Sequence, residues 1–222
     1  MAAGPPVTVR VWGDFACFTR PEMHVERVSY PVMTPSAARG VLESIFWKPE
    51  FSWRVQRIAV LRPIRHFAVL RNETTEKPTP GSILDLLRKG GRHSPLVIDD
   101  DSRAQRNTLG LRDVAYRIEA RVHLREGAAP KDEVKCREQF ARRINRGQCY
   151  LRPCLGCREF AAHFGPADDA EPSVDVTEDL GQVLFDIRYE QGTGRGTPAF
   201  FEAHLEAGVL CVPQHLYEEV GL

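Results

Sequence analysis

The stretch from Leu111 to Leu124 constrains this chain more than any other. Val114, Tyr116, Ile118, Ala120, Val122 and Leu124 alternate with Asp113, Ala115, Arg117, Glu119, Arg121 and His123. Successive side chains of a strand point to opposite faces, so a period of two predicts a long β-strand. Its apolar face belongs in a core; its polar face is wet or meets a ligand.

Two helices are expected to pack against such a sheet. The first lies within Ser29–Pro49. Thr34 is its cap, since a threonine hydroxyl accepts from an unpaired backbone N–H, and Pro35 takes the first helical position at no cost. Ala38, Leu42, Ile45 and Phe46 share one face at spacings of three and four, and Pro49 ends the run. Gly40 costs a helix about 1 kcal/mol against alanine, which predicts a strand or backbone pressed against it. The second helix opens at Pro130 and Asp132 and runs to about Arg146, with Gly147 as its stop. Lys131, Lys135, Arg142 and Arg146 fall on one stripe with Gln139 between them, and Val134, Ala141 and Ile144 form the expected apolar side.

Further strands are read at Val7–Phe18, where Val7, Val9 and Val11 alternate with Thr8, Arg10 and Trp12, and at Phe51–Leu70, taken as one long strand with Pro63 at a bend or an edge. The segment 72–108 is a long excursion, with a short helix at Ser82–Lys89 capped by Ser82, a short strand at Leu96–Ile98 and a solvated turn at Asp99–Asp101. The order strand, helix, strand, excursion, strand, helix is close to the β-α-β-β-α-β order of the ferredoxin-like fold. After Gly147 the composition changes. Val183–Tyr189 reads as a strand, Gly192–Gly196 as a glycine-rich turn, and Phe200–Leu205 with Val209–Val212 as a hairpin around Ala207-Gly208. The fold class expected is α+β: a ferredoxin-like domain over 1–147, carrying the 72–108 insertion, and a small antiparallel β-sheet domain over 148–222.

The zero net charge hides an asymmetry. Residues 1–158 hold 28 Lys and Arg against 17 Asp and Glu, while residues 159–222 hold 2 against 13. Of the cations, 25 are Arg and 5 Lys. Guanidinium groups bind phosphate bidentately and stack on bases, so the first part predicts a polyanion partner. No run reaches the ~18 apolar residues of a membrane span, and the first residues lack the layout of a secretory signal. A cytosolic protein is expected, with its six cysteines as thiols.

The spacing Cys149-x4-Cys154-x2-Cys157, with Cys211 distant, offers soft ligands for an iron–sulfur or zinc site. A zinc ribbon wants a second C-x2-C, and ordinary thiols are the preferred reading. No GK[ST] follows the glycines at 192–196, and no H-E-x-x-H or G-x-S-x-G is present. His24, His66, His93, His123, His163, His204 and His215 are scattered, and singly each reads as structural or solvated.

The stretches VWGDFACFTRPE, ERVSYPVMTPSAARGVLESIFWKP, VLRPI, LRDVAYRIEA and PCLGCREF, in that order, resemble the CRISPR-associated Cas-five family in its subtype I-C, or d variant, form, within the RAMP superfamily. The resemblance implies a protein that cuts precursor CRISPR RNA within each repeat, without metal or other cofactor. The ribose 2′-OH attacks the neighbouring phosphate and leaves a 2′,3′-cyclic phosphate. It further implies that the protein holds the 5′ handle and stays with the backbone, large and small subunits of a surveillance complex that targets DNA. In relatives a Tyr lies in an S-I-Y-W-K-P motif and a Lys-His pair opens the second helix. Carried over, these positions are Phe46, Lys135 and Cys136, so only the lysine is retained. Lys135 would stabilise the phosphorane and favour a thiolate at Cys136; Tyr30, His24 or Tyr116 are further candidates for proton transfer. Candidate RNA contacts are Arg20, Arg27, Arg39, Lys48, Lys131, Arg142 and Arg146. The alternative is a non-catalytic subunit that caps the 5′ handle.

Overall fold

The computed structural model describes residues 4–23, 25–74, 79–88, 103–189, 192, 194 and 196–221. The strands are β1 (Val7–Ala16), β2 (Arg27–Val28), β3 (Phe51–Val60), β4 (His66–Thr74), β5 (Arg103–Leu124), β6 (His163–Gly165), β7 (Glu178–Tyr189), β8 (Gly196–Glu206) and β9 (Val209–Cys211). The helices are α1 (Pro35–Ile45), α2 (Pro80–Arg88), α3 (Pro130–Arg146) and the single turn α4 (Leu216–Glu219). One nine-stranded sheet runs β6-β1-β5-β3-β9-β8-β7, with β2 and β4 also paired to β5. Every pairing is antiparallel except that of the short β2. The protein is thus a mostly antiparallel sheet with few helices. Among the described residues, no helix is long and apolar enough to cross a membrane.

β5 is the spine. Its 22 residues pair with β1 along one edge, from Val7↔Ala120 to Ala16↔Leu111. The other edge takes β3 (Phe51↔Leu124 to Val60↔Tyr116) and then β4 (His66↔Leu111 to Thr74↔Arg103). The segment expected as one strand is therefore two. Pro63 lacks an N–H, so the ladder breaks over 61–65 and resumes. The expected alternation holds: Val9, Val11, Ile118 and Ala120 are fully buried, as are Phe51, Trp53 and Val55 from the same side of β3. α1 and α3 cover that side. The indole Nε1–H of Trp53 donates to the Phe46 carbonyl at 2.9 Å, and its ring lies 4.6 Å from Phe140 of α3.

α1 forms as read. The Thr34 hydroxyl accepts from the Ala37 N–H at 3.2 Å, and Ala38, Leu42 and Ile45 are buried. Gly40 departs from expectation: it is exposed, and a methyl group there would meet nothing within 4 Å among the described residues. It lines a cleft of about 400 Å³ with Ser36, Ser44, Thr19, Cys154 and Gly156. α3 also differs on its apolar side. Val134 and Ala141 are exposed, and the buried row is Cys136, Phe140 and Ile144. That row repeats at four, and it aims at Trp53, the largest fully buried side chain.

α2 starts at Pro80, two residues before the expected Ser82 cap. The strand expected at Leu96–Ile98 and the turn at Asp99–Asp101 lie outside the described residues, as do His24 and His93. The C-terminal hairpin closes as read, with Leu205↔Leu210 and Glu206↔Val209. Ala207 and Gly208 turn it with φ 45° and 75°, the two positive values that a tight two-residue hairpin loop requires.

Candidate nucleic-acid interface

The end of α1 and the start of α3 meet at the rim of the sheet where β3 begins and β5 ends. Phe46 closes α1 in extended conformation, its N–H donating to the Leu42 carbonyl at 2.9 Å. Its ring is 3% exposed, stacks on Phe51 at 5.7 Å, and lies 5.0 Å from the Arg143 guanidinium. A residue held this way is core and has no proton to move. Beyond it Trp47, Lys48 and Glu50 turn outward and are exposed. Across from them, Asp132 secures the first turn of α3 by accepting from the Ala129 N–H at 3.1 Å. Lys131, Lys135, Arg142 and Arg146 are all exposed along the helix.

Cys136 is the buried neighbour of this rim, 4% exposed. Its surroundings bring Lys48, Glu50, Asp132 and Lys135 within electrostatic reach. The thiolate expected there is disfavoured. Burial pushes the thiol pKa up, Glu50 and Asp132 push the same way, and Lys48 and Lys135 do not outweigh them. At neutral pH Cys136 carries its proton.

The structure joins Phe46, Lys48, Lys135 and Cys136, with Lys131, Arg142 and Arg146 along the same helix, but takes Tyr30, Tyr116, Arg20, Arg27 and Arg39 elsewhere. Tyr30 is buried beneath Arg20, whose guanidinium lies 4.4 Å from its ring centroid. Burial raises its pKa, as does Glu22, against a hydrogen bond with the Leu184 backbone. Tyr116 is wholly buried, bonded to the Met33 backbone, and burial drives its hydroxyl far up. Arg39 is a structural cation. It bridges Glu43 on its own helix at 2.8 Å and the buried Asp186 of β7 at 2.7 Å. Arg27 is likewise engaged, with Glu159 at 3.1 Å, Glu73 at 3.8 Å and the Cys157 sulfur at 3.3 Å.

The cysteine motif separates. Cys149 is exposed, and Cys154 and Cys157 are half-buried, Cys157 against Cys17 just after β1. As a thiol, Cys157 donates to the Cys17 carbonyl at 3.6 Å. As a thiolate it is stabilised first by the Cys17 S–H and then by Arg27, which bring its pKa down to about 6. Cys17 is correspondingly pushed up. Among the described residues, no three His, Cys, Asp or Glu side chains form a metal cluster. Nothing in the sequence paired Cys17 with Cys157, since 140 positions separate them.

Part of the charge asymmetry is satisfied internally. The acidic segment after Gly165 folds over the sheet face away from the helices. Arg10 holds Glu171 through two hydrogen bonds of 2.7 and 2.9 Å. Arg117 donates to the carbonyls of Asp168 at 3.0 Å and Glu171 at 2.9 Å.

Sheet, helical cover and rim together define an antiparallel β-sheet protein that presents lysines and arginines along one helix and one sheet end. The sequence profile of the Cas5d type of CRISPR-associated protein matches residues 7–213. The chain belongs to this Cas5d family of CRISPR-associated proteins. It is 43% identical to a protein from Mannheimia succiniciproducens named CRISPR pre-crRNA endoribonuclease Cas5d, over 96% of this chain and 97% of that one. A protein of the same name from Thermus thermophilus is 44% identical over 96% of this chain and 93% of its own length. A solved CRISPR-associated protein superposes with a TM-score of 0.67 at 22% identity, covering 97% of this chain and 95% of that chain. A functionally uncharacterized protein from Streptococcus mutans gives 0.66 at 20% identity, over 97% and 96%. These two likenesses speak to the fold alone.

Proposed function

We propose that this protein is a metal-independent endoribonuclease that cuts precursor CRISPR RNA within the repeat. It then holds the 5′ handle, in the cytoplasm, as a subunit of an I-C type surveillance complex that targets DNA. The observation that carries this reading is the near full-length identity of 43% and 44% to two relatives named for that activity. In the same reading β6-β1-β5-β3 with α1 and α3 form a ferredoxin-like unit. Residues 1–147 supply most of it, including the 72–108 insertion, and 148–222 form a small antiparallel domain that returns β6 and β9 to it. The strand order and the two covering helices support this description.

The chemistry needs a cation for the phosphorane, an acceptor for the 2′-OH proton and a donor for the leaving 5′ oxygen. The new bond joins the 2′ oxygen to phosphorus as the bond from phosphorus to the 5′ oxygen breaks. Lys48 and Lys135 are the exposed cations at the α1–α3 rim, and we assign them the phosphorane charge. Cys136, protonated at neutral pH, suits the donor role better than the base. Lys131, Arg142 and Arg146 continue the cationic track along α3 for the flanking backbone.

A second reading has its own support. Phe46 is packed in the core and Cys136 is buried as a thiol, which favours a subunit that caps the 5′ handle without cutting. Incubation with the cognate repeat RNA in EDTA separates the two, with Lys135→Ala and Cys136→Ala alongside. One cut leaving a cyclic phosphate, lost in Lys135→Ala, upholds the nuclease. Tight, salt-sensitive binding without any cut upholds the capping subunit.

A further inference from the structure

The sheet face turned away from the helices carries a cavity of about 490 Å³ where β3 begins, β5 ends and α4 crosses. Ser52, Arg54, His123, Arg125, Glu126 and Glu218 line it. The register explains the convergence. Ser52 lies directly opposite His123, and Arg54 opposite Arg121, so Arg54 is diagonal to the imidazole on the same face.

We propose that this cavity is a second phosphate site for the RNA backbone, in which a phosphodiester group seats between Arg54 and His123. The inference rests on the RNA-binding part of the function proposed above. Four observations carry it. First, Arg54 Nη2 and His123 Nε2 lie 3.1 Å apart. A guanidinium only donates, so Nε2 accepts, the ring is neutral, and its proton is on Nδ1. An anion there would gain both groups as donors. Second, among the described residues the buried Ser52 hydroxyl has no hydrogen-bond partner, and a buried hydroxyl left unpaired costs free energy that a phosphate oxygen would recover. Third, Arg125 lines the same cavity, adding a second guanidinium. Fourth, the cavity lies next to the α1–α3 rim: the N–H of Arg125, which lines it, donates to the carbonyl of Glu50 at 2.9 Å. A strand of RNA passing Lys48 and Lys135 reaches Arg125 by rounding the end of the sheet.

The charged groups facing His123 are Arg54 from β3, Arg121 along its own strand, Arg125 and Glu126 from the turn after β5, and Glu218 from α4. Arg121 is occupied by the Gln56 side chain at 3.0 Å. In the free protein, burial and then Arg54 depress the His123 pKa below its ordinary 6.5, against Glu218. A phosphate between Arg54 and the ring reverses that balance. His123 then takes up a proton and donates from Nε2, so binding is linked to proton uptake. Glu218 competes with the phosphate for the same cations.

The test follows His123 by NMR and RNA affinity by fluorescence anisotropy, using a labelled single-stranded repeat RNA. The expected result is a His123 pKa below 6.5 in the free protein that rises by about one unit or more on RNA binding. Wild-type affinity should weaken up to about tenfold from pH 5.5 to pH 8, with the slope flattened in His123→Gln. Glu218→Gln should tighten binding severalfold, a gain that misfolding cannot imitate. RNA binding with an unmoved His123 pKa and no effect of Glu218→Gln overturns this site and leaves the RNA reading intact. Absence of any RNA binding overturns both.

Discussion

At position 157 a cysteine sits against a second thiol, an arginine and a backbone carbonyl, and its titration follows from those neighbours. Its pKa is brought down from an ordinary 9.0 to about 6, while Cys17 is pushed above the ordinary value. Iodoacetamide should therefore alkylate Cys157 with a pH midpoint near 6, while Cys136 and Cys154, both raised by burial, respond only in alkaline buffer. Mass spectrometry of the alkylated peptides would check this. The linkage has a definite sign. Between about pH 6 and 9 the unfolded chain holds the proton that folded Cys157 has lost, so this pair adds stability as pH rises. Above pH 9 the unfolded chain also loses the Cys17 proton that the folded state keeps, and the trend turns down. Gly156, beside this pair, has φ +86°, and an added Cβ would lie 2.0 Å from the Cys17 carbonyl oxygen. Gly156→Ala should cost about 2 kcal/mol or more, read as a lower urea midpoint at unchanged slope. None of this was legible in the sequence, where the C-x4-C-x2-C spacing drew attention to a metal and Cys17 lay outside the pattern. Phe46 was legible both as a departure from the family motif and as part of the apolar face shared with Ala38, Leu42 and Ile45, whereas Cys136 was legible only as a departure and not as a core residue.

The helices and strands were more readable than their inner faces. Thr34-Pro35 and Gly147 bound α1 and α3 as local chemistry dictates. The face of α3 was misread because Val134 and Ala141 look apolar, while the true contact row runs through Cys136 and Phe140 to reach Trp53. Composition cannot tell which side a partner element will lie on. Arg39 is a similar case. It reads as a free cation on an early turn, yet it ties α1 to β7 through Asp186. Removing one partner of a buried pair strands the other, so Asp186→Asn should destabilise by roughly 3 kcal/mol, in chemical denaturation. RNA affinity should stay within about twofold, since Arg39 is committed elsewhere. The α3 track behaves oppositely. Arg142→Ala with Arg146→Ala should leave stability within about 0.5 kcal/mol and lower the slope of log affinity against log salt by about 1.4, at about 0.7 per phosphate contact on single strands.

For the molecule as a whole, the charge asymmetry proves to be two things at once. The acidic C-terminal third neutralises Arg10, Arg39 and part of the Arg27 cluster from within, leaving the cations at the rim and along α3 for a partner. That division depends on long-range folding, and so a running count of charges overstates the surface available to a polyanion. Residues from both parts of the chain share one sheet and one buried cluster. Unfolding in urea should accordingly be a single transition, with tryptophan fluorescence and far-ultraviolet dichroism superimposing.

The central strand of this sheet is also a late arrival during synthesis. β1, α1, β3 and β4 all leave the ribosome before β5, although three of them need it as their ladder partner. At roughly 10 residues per second, about ten seconds pass between the completion of β1 and the completion of β5. Through that interval the nascent chain exposes open strand edges rich in valine and tryptophan, which are ready to pair with any neighbour. Slower or colder expression lengthens the wait, so yield should depend on chaperones that shield nascent chains more than on the stability of the finished fold.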